Sequence, residues 1–155
     1  LGQTRLLAQA LERDWGISDP RIGLCALNPH ASDGGLFGSE EAELLQPVVA
    51  RLGSEGLRIH GPLPADTVFH RALKGELDAV VAPYHDVGMA AFKSVSFGTG
   101  VNVTLGLPFI RTSPDHGTAF DIAGTGSADP SSSIAAIGLA SRLVQARFDT
   151  RYGRR

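Results

Sequence analysis

The chain has 155 residues, of which 43% are apolar and 19% charged, with a formal net charge of -2. That is enough for a domain with a real core, and the near-neutral balance gives no electrostatic case for nucleic acid or an acidic membrane. The single Cys25 cannot form an internal disulfide and no apolar run approaches a membrane span, so a soluble cytoplasmic protein is the expectation.

Leu6, Leu7, Ala10, Leu11 and Trp15 recur at helical spacing, which predicts an amphipathic helix over residues 3–15. Gly16 suits its C-cap and Pro20 its stop. The first residues already read as mid-helix, and the chain opens on Leu1 rather than methionine, so a fragment of a longer protein is expected. Arg21 to Leu27 is apolar on both faces, as in a strand of a covered sheet. It ends in Asn28-Pro29-His30 and a loop with three glycines. Cys25, inside that apolar run, reads as a buried inert thiol.

Ser39 is expected to cap a helix whose first turn carries Glu40 and Glu41, the favoured charge for that end. Pro47 should kink or break this helix, and Gly53 or Gly56 should end it. Leu57 to Ile59 is a short strand candidate, Val68 to Leu77 a helix, and Ala79 to Ala82 the central buried strand. A short helix is expected over Met89 to Lys93, then a strand over Val101 to Leu105 and an extended stretch over Leu107 to Ser113. The closing helix begins near Asp129-Pro130-Ser131, with proline at its first position. Its expected inner face is Ile134, Ile137, Ala140, Val144 and Phe148, with fraying from Arg147. Alternating strands and helices predict an α/β fold, a three-layer α/β/α sandwich with a mainly parallel sheet.

His30 and His85 each follow a convincing buried strand. If those strands are parallel neighbours, both imidazoles emerge at the edge where open α/β sheets bind ligands. Two imidazoles with a carboxylate such as Asp66 or Asp86 suit a catalytic divalent cation, although each histidine could equally be a hydrogen-bonded turn residue. Lys93, Asn102 and Arg111 are polar residues in apolar surroundings. Lysine and arginine that converge bind phosphate or carboxylate. The Gly-rich stretch from His116 to Pro130 lets a ligand approach backbone, and Asp121 or Asp129 could accept from a nucleoside. It lacks the G-x-G-x-x-G spacing of a dinucleotide fingerprint.

Five blocks, in order, carry a resemblance. They are Leu27-Asn-Pro-His-Ala-Ser-Asp-Gly-Gly, Gly61-Pro-Leu-Pro-Ala-Asp-Thr, Tyr84-His-Asp-Val-Gly, Gly100 through Ser113, and Asp115-His-Gly-Thr-Ala. Together they resemble the 4-hydroxythreonine-4-phosphate dehydrogenase family of vitamin B6 biosynthesis, within the isocitrate/isopropylmalate dehydrogenase-like group. The match covers roughly the C-terminal half of a family chain, so it implies a portion of a two-domain dehydrogenase with the N-terminal half absent. It implies oxidation of 4-phosphooxy-L-threonine by NAD or NADP, followed by decarboxylation, in a homodimer. It further implies a divalent metal (Zn, Mg or Co) on three histidines at a site shared between subunits. Two of those histidines match His30 and His85, the third lies outside this chain, and Asp66 matches a nearby acidic residue. The resemblance makes Lys93, Asn102 and Arg111 substrate-binding residues, and His85 and Lys93 the catalytic pair. It maps cofactor binding to His116, Gly117, Thr118, Ala119, Asp121, Ile122, Ala123, Gly124 and Asp129. Relatives acting on D-threonate or D-erythronate 4-phosphate share these residue types, and the isolated chain is expected to be inactive.

Overall fold

A computed structural model describes residues 1–96 and 98–153. The chain divides into two compact units, Leu1–Glu12 with Ile17–Ala91, and Arg13–Gly16 with Phe92–Arg155.

The first unit is built on three parallel strands: β1 (Ile22–Cys25), β2 (Ile59–Leu63) and β3 (Ala79–Val81), in the order β2-β1-β3. Every residue of β1 is buried, which accounts for its unbroken apolar pattern. The helices of this unit are α1 (Gly2–Trp15, which runs on into the second unit), α2 (Gln46–Ser54) and α3 (Ala65–Leu73). Val68 of α3 is fully buried with Cys25 and Leu77, and Phe69, Ala72 and Val80 pack around them. Gly23 belongs to this face of β1, because a Cβ there would lie 2.7 Å from Leu77 and 3.1 Å from Val68. Burial pushes the Cys25 thiol pKa up, in keeping with an inert thiol.

β2 begins at Ile59, near the end of the stretch expected to hold it, and continues through Gly61-Pro62. Its register against β1 shifts between the pairs Gly23↔His60 and Cys25↔Leu63. An outer strand tolerates this bulge, because proline has no N–H to offer a further neighbour. α3 starts three residues earlier than periodicity predicted and ends at Leu73, where Lys74 and Gly75 turn the chain.

The segment around Pro47 is neither a plain kink nor a break. A widened π-turn runs over Glu41–Leu45, closed by the Gln46 amide donating to the Glu41 carbonyl. α2 resumes with Pro47 in its first turn, where a missing N–H costs little. Ser39 supplies no side-chain cap here; its carbonyl accepts from the Glu43 amide at 2.9 Å.

α4 (His85–Ser96) is longer than expected, so His85 opens a helix instead of sitting in a turn. It too crosses from the first unit into the second. The second unit contains the antiparallel pair β4 (Val101–Val103) and β5 (Thr112–Pro114), with α5 (Ser131–Tyr152) packed on it. α5 stays helical well past Arg147, while Arg154 and Arg155 lie outside the described residues. Its inner face differs from the expected one. Ile134 and Ile137 are 65% and 71% exposed, and Val144 and Phe148 are exposed too. Ser132, Ala136 and Leu143 are buried instead. Two polar ties select that face: Ser132 Oγ donates to the Gly100 carbonyl at 2.9 Å, and Thr112 Oγ1 donates to the Ala136 carbonyl at 2.9 Å. Ser132 and Ala136 are small enough for that close approach, and Leu143 is buried further along the helix. Also in this unit, the buried Asp14 carboxylate receives the guanidinium groups of Arg13 and Arg147. Among the described residues, no helix is long and apolar enough to cross a membrane.

Candidate active site

Three of the expected site residues follow the C-terminal ends of the three parallel strands. β1 and β3 are direct neighbours, paired Ile22↔Ala79, Gly23↔Val80 and Leu24↔Val81. His30 stands in the turn after β1, His85 at the first position of α4 after β3, and Asp66 in the first turn of α3 after β2. All three side chains are exposed. Tyr84 Oη donates to Asp86 Oδ2 at 3.2 Å, which occupies the alternative carboxylate considered beside His85.

The turn that carries His30 is unusual. His30, Ala31, Ser32, Asp33 and Gly34 have φ values of 52, 54, 71, 44 and 66°. Four of these are not glycine, and left-handed backbone costs an L-residue about 1–2 kcal/mol each. Such a turn persists only where its surroundings dictate it. Against this turn lies Glu41, which sequence reasoning placed at a helix end as a dipole charge. It is instead 2% exposed, with its carboxylate turned into the loop. Oε1 accepts from the Leu27 and Asn28 amides at 2.9 and 2.7 Å. Oε2 accepts from Asn28 Nδ2 at 2.9 Å and from Ser32 Oγ. Burial works against the charge, but these donors outweigh it and bring the carboxyl pKa down to about 2. Gly38 is needed close by, since a Cβ there would lie 2.7 Å from Asn28 Nδ2.

As a metal site the first unit is incomplete. Histidine and carboxylate are suitable donors, yet among the described residues no group of three or more His, Cys, Asp or Glu side chains could hold a metal ion. His30, His85 and Asp66 therefore do not fit a resident metal by themselves.

The second unit contains a cavity of about 740 Å³. Lys93 lines it, together with His116 to Ala119, Ile122 to Gly124, and Asp129. Eight of the nine residues assigned to the cofactor thus share one cavity with the lysine assigned to the substrate. The ninth, Asp121, lies on the short 3₁₀ turn Phe120–Ile122 and is not part of the lining. Asp129 is partly committed elsewhere. Its Oδ1 accepts from the Ser131 amide and hydroxyl at 2.9 and 2.6 Å, which lowers the carboxyl pKa. Asp115, which opens the last of the five blocks, and Ser132, which did not stand out in the sequence, also line the cavity. Ser132 sits 3.2 Å from Asp115 Oδ1 and fixes the root of the loop. Asn102 lies on the β4–β5 ladder and Arg111 just before β5, and neither is in the lining; Arg111 Nη1 donates to Thr104 Oγ1 at 2.8 Å.

A family model described as pyridoxal phosphate biosynthetic protein PdxA matches residues 1–140. The chain belongs to this family. It is 50% identical over 143 residues to the 4-hydroxythreonine-4-phosphate dehydrogenase of Paracoccus denitrificans, covering 92% of this chain and 44% of that protein. It is 55% identical over 140 residues to the enzyme of the same name from Aromatoleum aromaticum, covering 90% and 43%. The crystal structure of 4-hydroxythreonine-4-phosphate dehydrogenase from Klebsiella pneumoniae superimposes with a TM-score of 0.77 at 45% identity, over 92% of this chain and 42% of that one. The chain thus spans less than half the length of the curated relatives it matches. The α/β architecture with a parallel sheet agrees with that likeness.

Two residues of the chain were missed by sequence reasoning for the same reason. Glu41 and Ser132 carry ordinary helix-start chemistry in sequence, and only their burial shows that they are turned inward. The pairing of Glu41 with an Asn-Pro turn thirteen residues upstream leaves no periodic trace.

Proposed function

We propose that this chain forms the cofactor-loop and phosphate-recognition part of a cytoplasmic 4-hydroxythreonine-4-phosphate dehydrogenase. The substrate is 4-phosphooxy-L-threonine. Its C3–H leaves as hydride to the nicotinamide of NAD, and the hydroxyl proton is released. The product carries its carboxylate β to the new ketone and loses CO2, giving 3-amino-2-oxopropyl phosphate. NAD supplies the redox chemistry, and the protein supplies binding and orientation.

The observation that carries this reading is the single cavity lined by Lys93 and the His116 to Asp129 loop. Its wall is largely small or aliphatic (Ala119, Ile122, Ala123, Ala128), which suits the flat faces of a dinucleotide. Lys93 brings a cation to the same place and is assigned to an anionic end of the substrate, the phosphate included. Asn102, on β4, and Arg111, just before β5, are assigned to the substrate. His30 and His85, with Asp66 near them, are assigned as donors to a divalent cation whose remaining ligands lie outside this chain, in a homodimer. Since the donors present here do not make a site alone, no step above is routed through that cation.

The test is a turnover comparison in the enzyme that carries this chain. 4-Phosphooxy-L-threonine should be oxidised with a kcat/KM at least tenfold above that of D-threonate 4-phosphate or D-erythronate 4-phosphate, about 1.4 kcal/mol of discrimination. The reverse preference would move the assignment to the sister activity on phosphorylated four-carbon sugar acids. A second reading concerns the chain by itself. Its incomplete donor set and its partial span favour a module that binds ligand without turning it over. The isolated chain should form no NADH above background; NADH formation at enzyme rates would overturn that expectation.

A further inference from the structure

We propose that Glu41 is a positioning residue, whose buried carboxylate holds the left-handed turn after β1 in the conformation that presents His30 at the sheet edge. Four donors reach this one carboxylate, two on each oxygen. They come from Leu27 and Asn28 on one side of His30 and from Ser32 on the other. The carboxylate therefore ties down both flanks of His30 without touching it. The turn's own backbone adds bonds such as the Ala31 amide donating to the Asn28 carbonyl at 3.2 Å and the Phe37 amide to the Ser32 carbonyl at 3.1 Å. Its large apolar neighbours Leu27, Leu36 and Phe37 are exposed, so apolar burial is not what fixes it. Among the described residues, the ring paired with that of His30 is Phe37, tilted at 48° with centroids 6.3 Å apart. Glu40 reinforces the same node by accepting from Asn28 Nδ2 at 2.7 Å.

The chemistry requires a carboxylate, not merely a polar side chain. All four partners point hydrogens at it, so an acceptor with no hydrogens of its own is needed at both oxygens. Glutamine would turn an NH2 toward one pair of donors. Aspartate is one methylene too short to span from the π-turn to Leu27 and Ser32 together.

The proposal rests on the reading of His30 as a site residue only for its consequence in turnover. Its test is made on the chain itself, isotope-labelled, as wild type, Glu41→Gln, Glu41→Ala and the core control Leu52→Ala. The readouts are amide hydrogen exchange at Leu27 and Asn28, and the His30 ring signals by NMR. Both Glu41 variants should speed exchange at these two amides at least tenfold, leave the Ile22 amide of β1 unchanged, and shift or broaden the His30 ring signals. Glu41→Gln keeps the test open should Glu41→Ala fail to fold. Unchanged exchange and ring signals in the Glu41 variants would overturn the proposal, as would the same changes in Leu52→Ala at equal loss of stability. Turnover in the enzyme that carries the chain separates the two claims. A loosened turn with full activity would count against His30, and an intact turn against Glu41.

Discussion

The Arg21 guanidinium and the Asp78 carboxylate form a two-pronged pair, Nη2 to Oδ1 at 2.8 Å and Nε to Oδ2 at 3.0 Å, where β1 and β3 begin. The Arg21 amide also donates to Asp78 Oδ2 at 2.8 Å, and the Asp78 amide donates back to the Arg21 carbonyl at 2.8 Å. The contact therefore fixes register as well as charge. It sets Ile22 opposite Ala79, and a slip of one residue would turn every side chain of β3 to the other face.

Asp78→Ala should therefore cost about 1–3 kcal/mol of stability, since it strands a fork of charge-assisted donors. Arg21→Lys should recover only part of the wild-type value, because an ammonium cannot reproduce the fork. Urea unfolding of the three proteins checks this. Equal midpoints for Asp78→Ala and wild type would show that the strand ladder alone sets the register.

Acid should weaken the protein in a defined window. Asp78, held mainly by the Arg21 guanidinium, has its pKa lowered to about 2. Burial of Asp14 opposes its charge, but hydrogen bonds from Arg13 and Arg147 prevail and also bring it to about 2. Glu41 reaches about 2 through its own donors. Each folded pKa lies below the unfolded one, so the unfolded chain binds more protons at low pH. The stability these groups contribute is complete above the ordinary carboxylate range, about pH 4 to 5, and drains away as pH falls toward about 2. Urea midpoints should be flat from about pH 7 to about pH 5 and fall below about pH 4. Asp14→Asn should lower the midpoint at neutral pH and make the acid slope shallower.

Gly100 gives a steric test in the second unit. It is buried, and an added Cβ would run into the Phe92 ring and lie 2.7 Å from Asp115 Oδ2. Its carbonyl also accepts the Ser132 bond that seats α5. Gly100→Ala should destabilise by about 1–3 kcal/mol, the usual cost of overpacking. Because Asp115 and Ser132 line the cavity, it should also weaken NAD binding more than the stability loss alone explains. Calorimetric titration with NAD on folded protein measures that second effect, and unaltered affinity would detach Gly100 from the cavity.

What could be read from sequence followed the strength of the local pattern. β1 was legible because a central parallel strand is apolar on both faces, and Ile22 to Cys25 shows it; Ala79 to Val81, expected to be the central buried strand, is instead an outer, half-buried strand beside it. The placement of His30 and His85 after neighbouring strands came from the same signal. The inner face of α5 was misread because Ile134, Ile137 and Val144 keep helical spacing, while packing selected Ser132, Ala136 and Leu143 beside them. Hydrophobic periodicity reports that a helix has a face; it does not report what lies against it. Glu41 was illegible for a different reason. Its partners are backbone amides of a non-periodic turn, and a buried carboxylate is written with the same letter as a solvated one.

Lys93 decides between two anionic ligands for the second-unit cavity. The side chain is exposed, and it shares the lining with the Gly-rich loop. Both proposed ligands carry phosphate, so the lysine could meet the phosphate of the substrate or the pyrophosphate of the dinucleotide. The assignment to substrate predicts an asymmetric response. Lys93→Ala should raise KM for 4-phosphooxy-L-threonine about 10- to 100-fold, or about 1.4–2.7 kcal/mol, while the Kd for NAD changes less than about twofold. Stability should move by less than about 0.5 kcal/mol, because the substitution lies on exposed surface. Lys93→Arg should restore a large part of the binding, since the charge is kept. Steady-state kinetics in the enzyme that carries this chain, with NAD titrations beside them, separate the cases. A rise in the NAD Kd with an unchanged substrate KM would transfer Lys93 to the pyrophosphate, and loss of neither would remove it from the site.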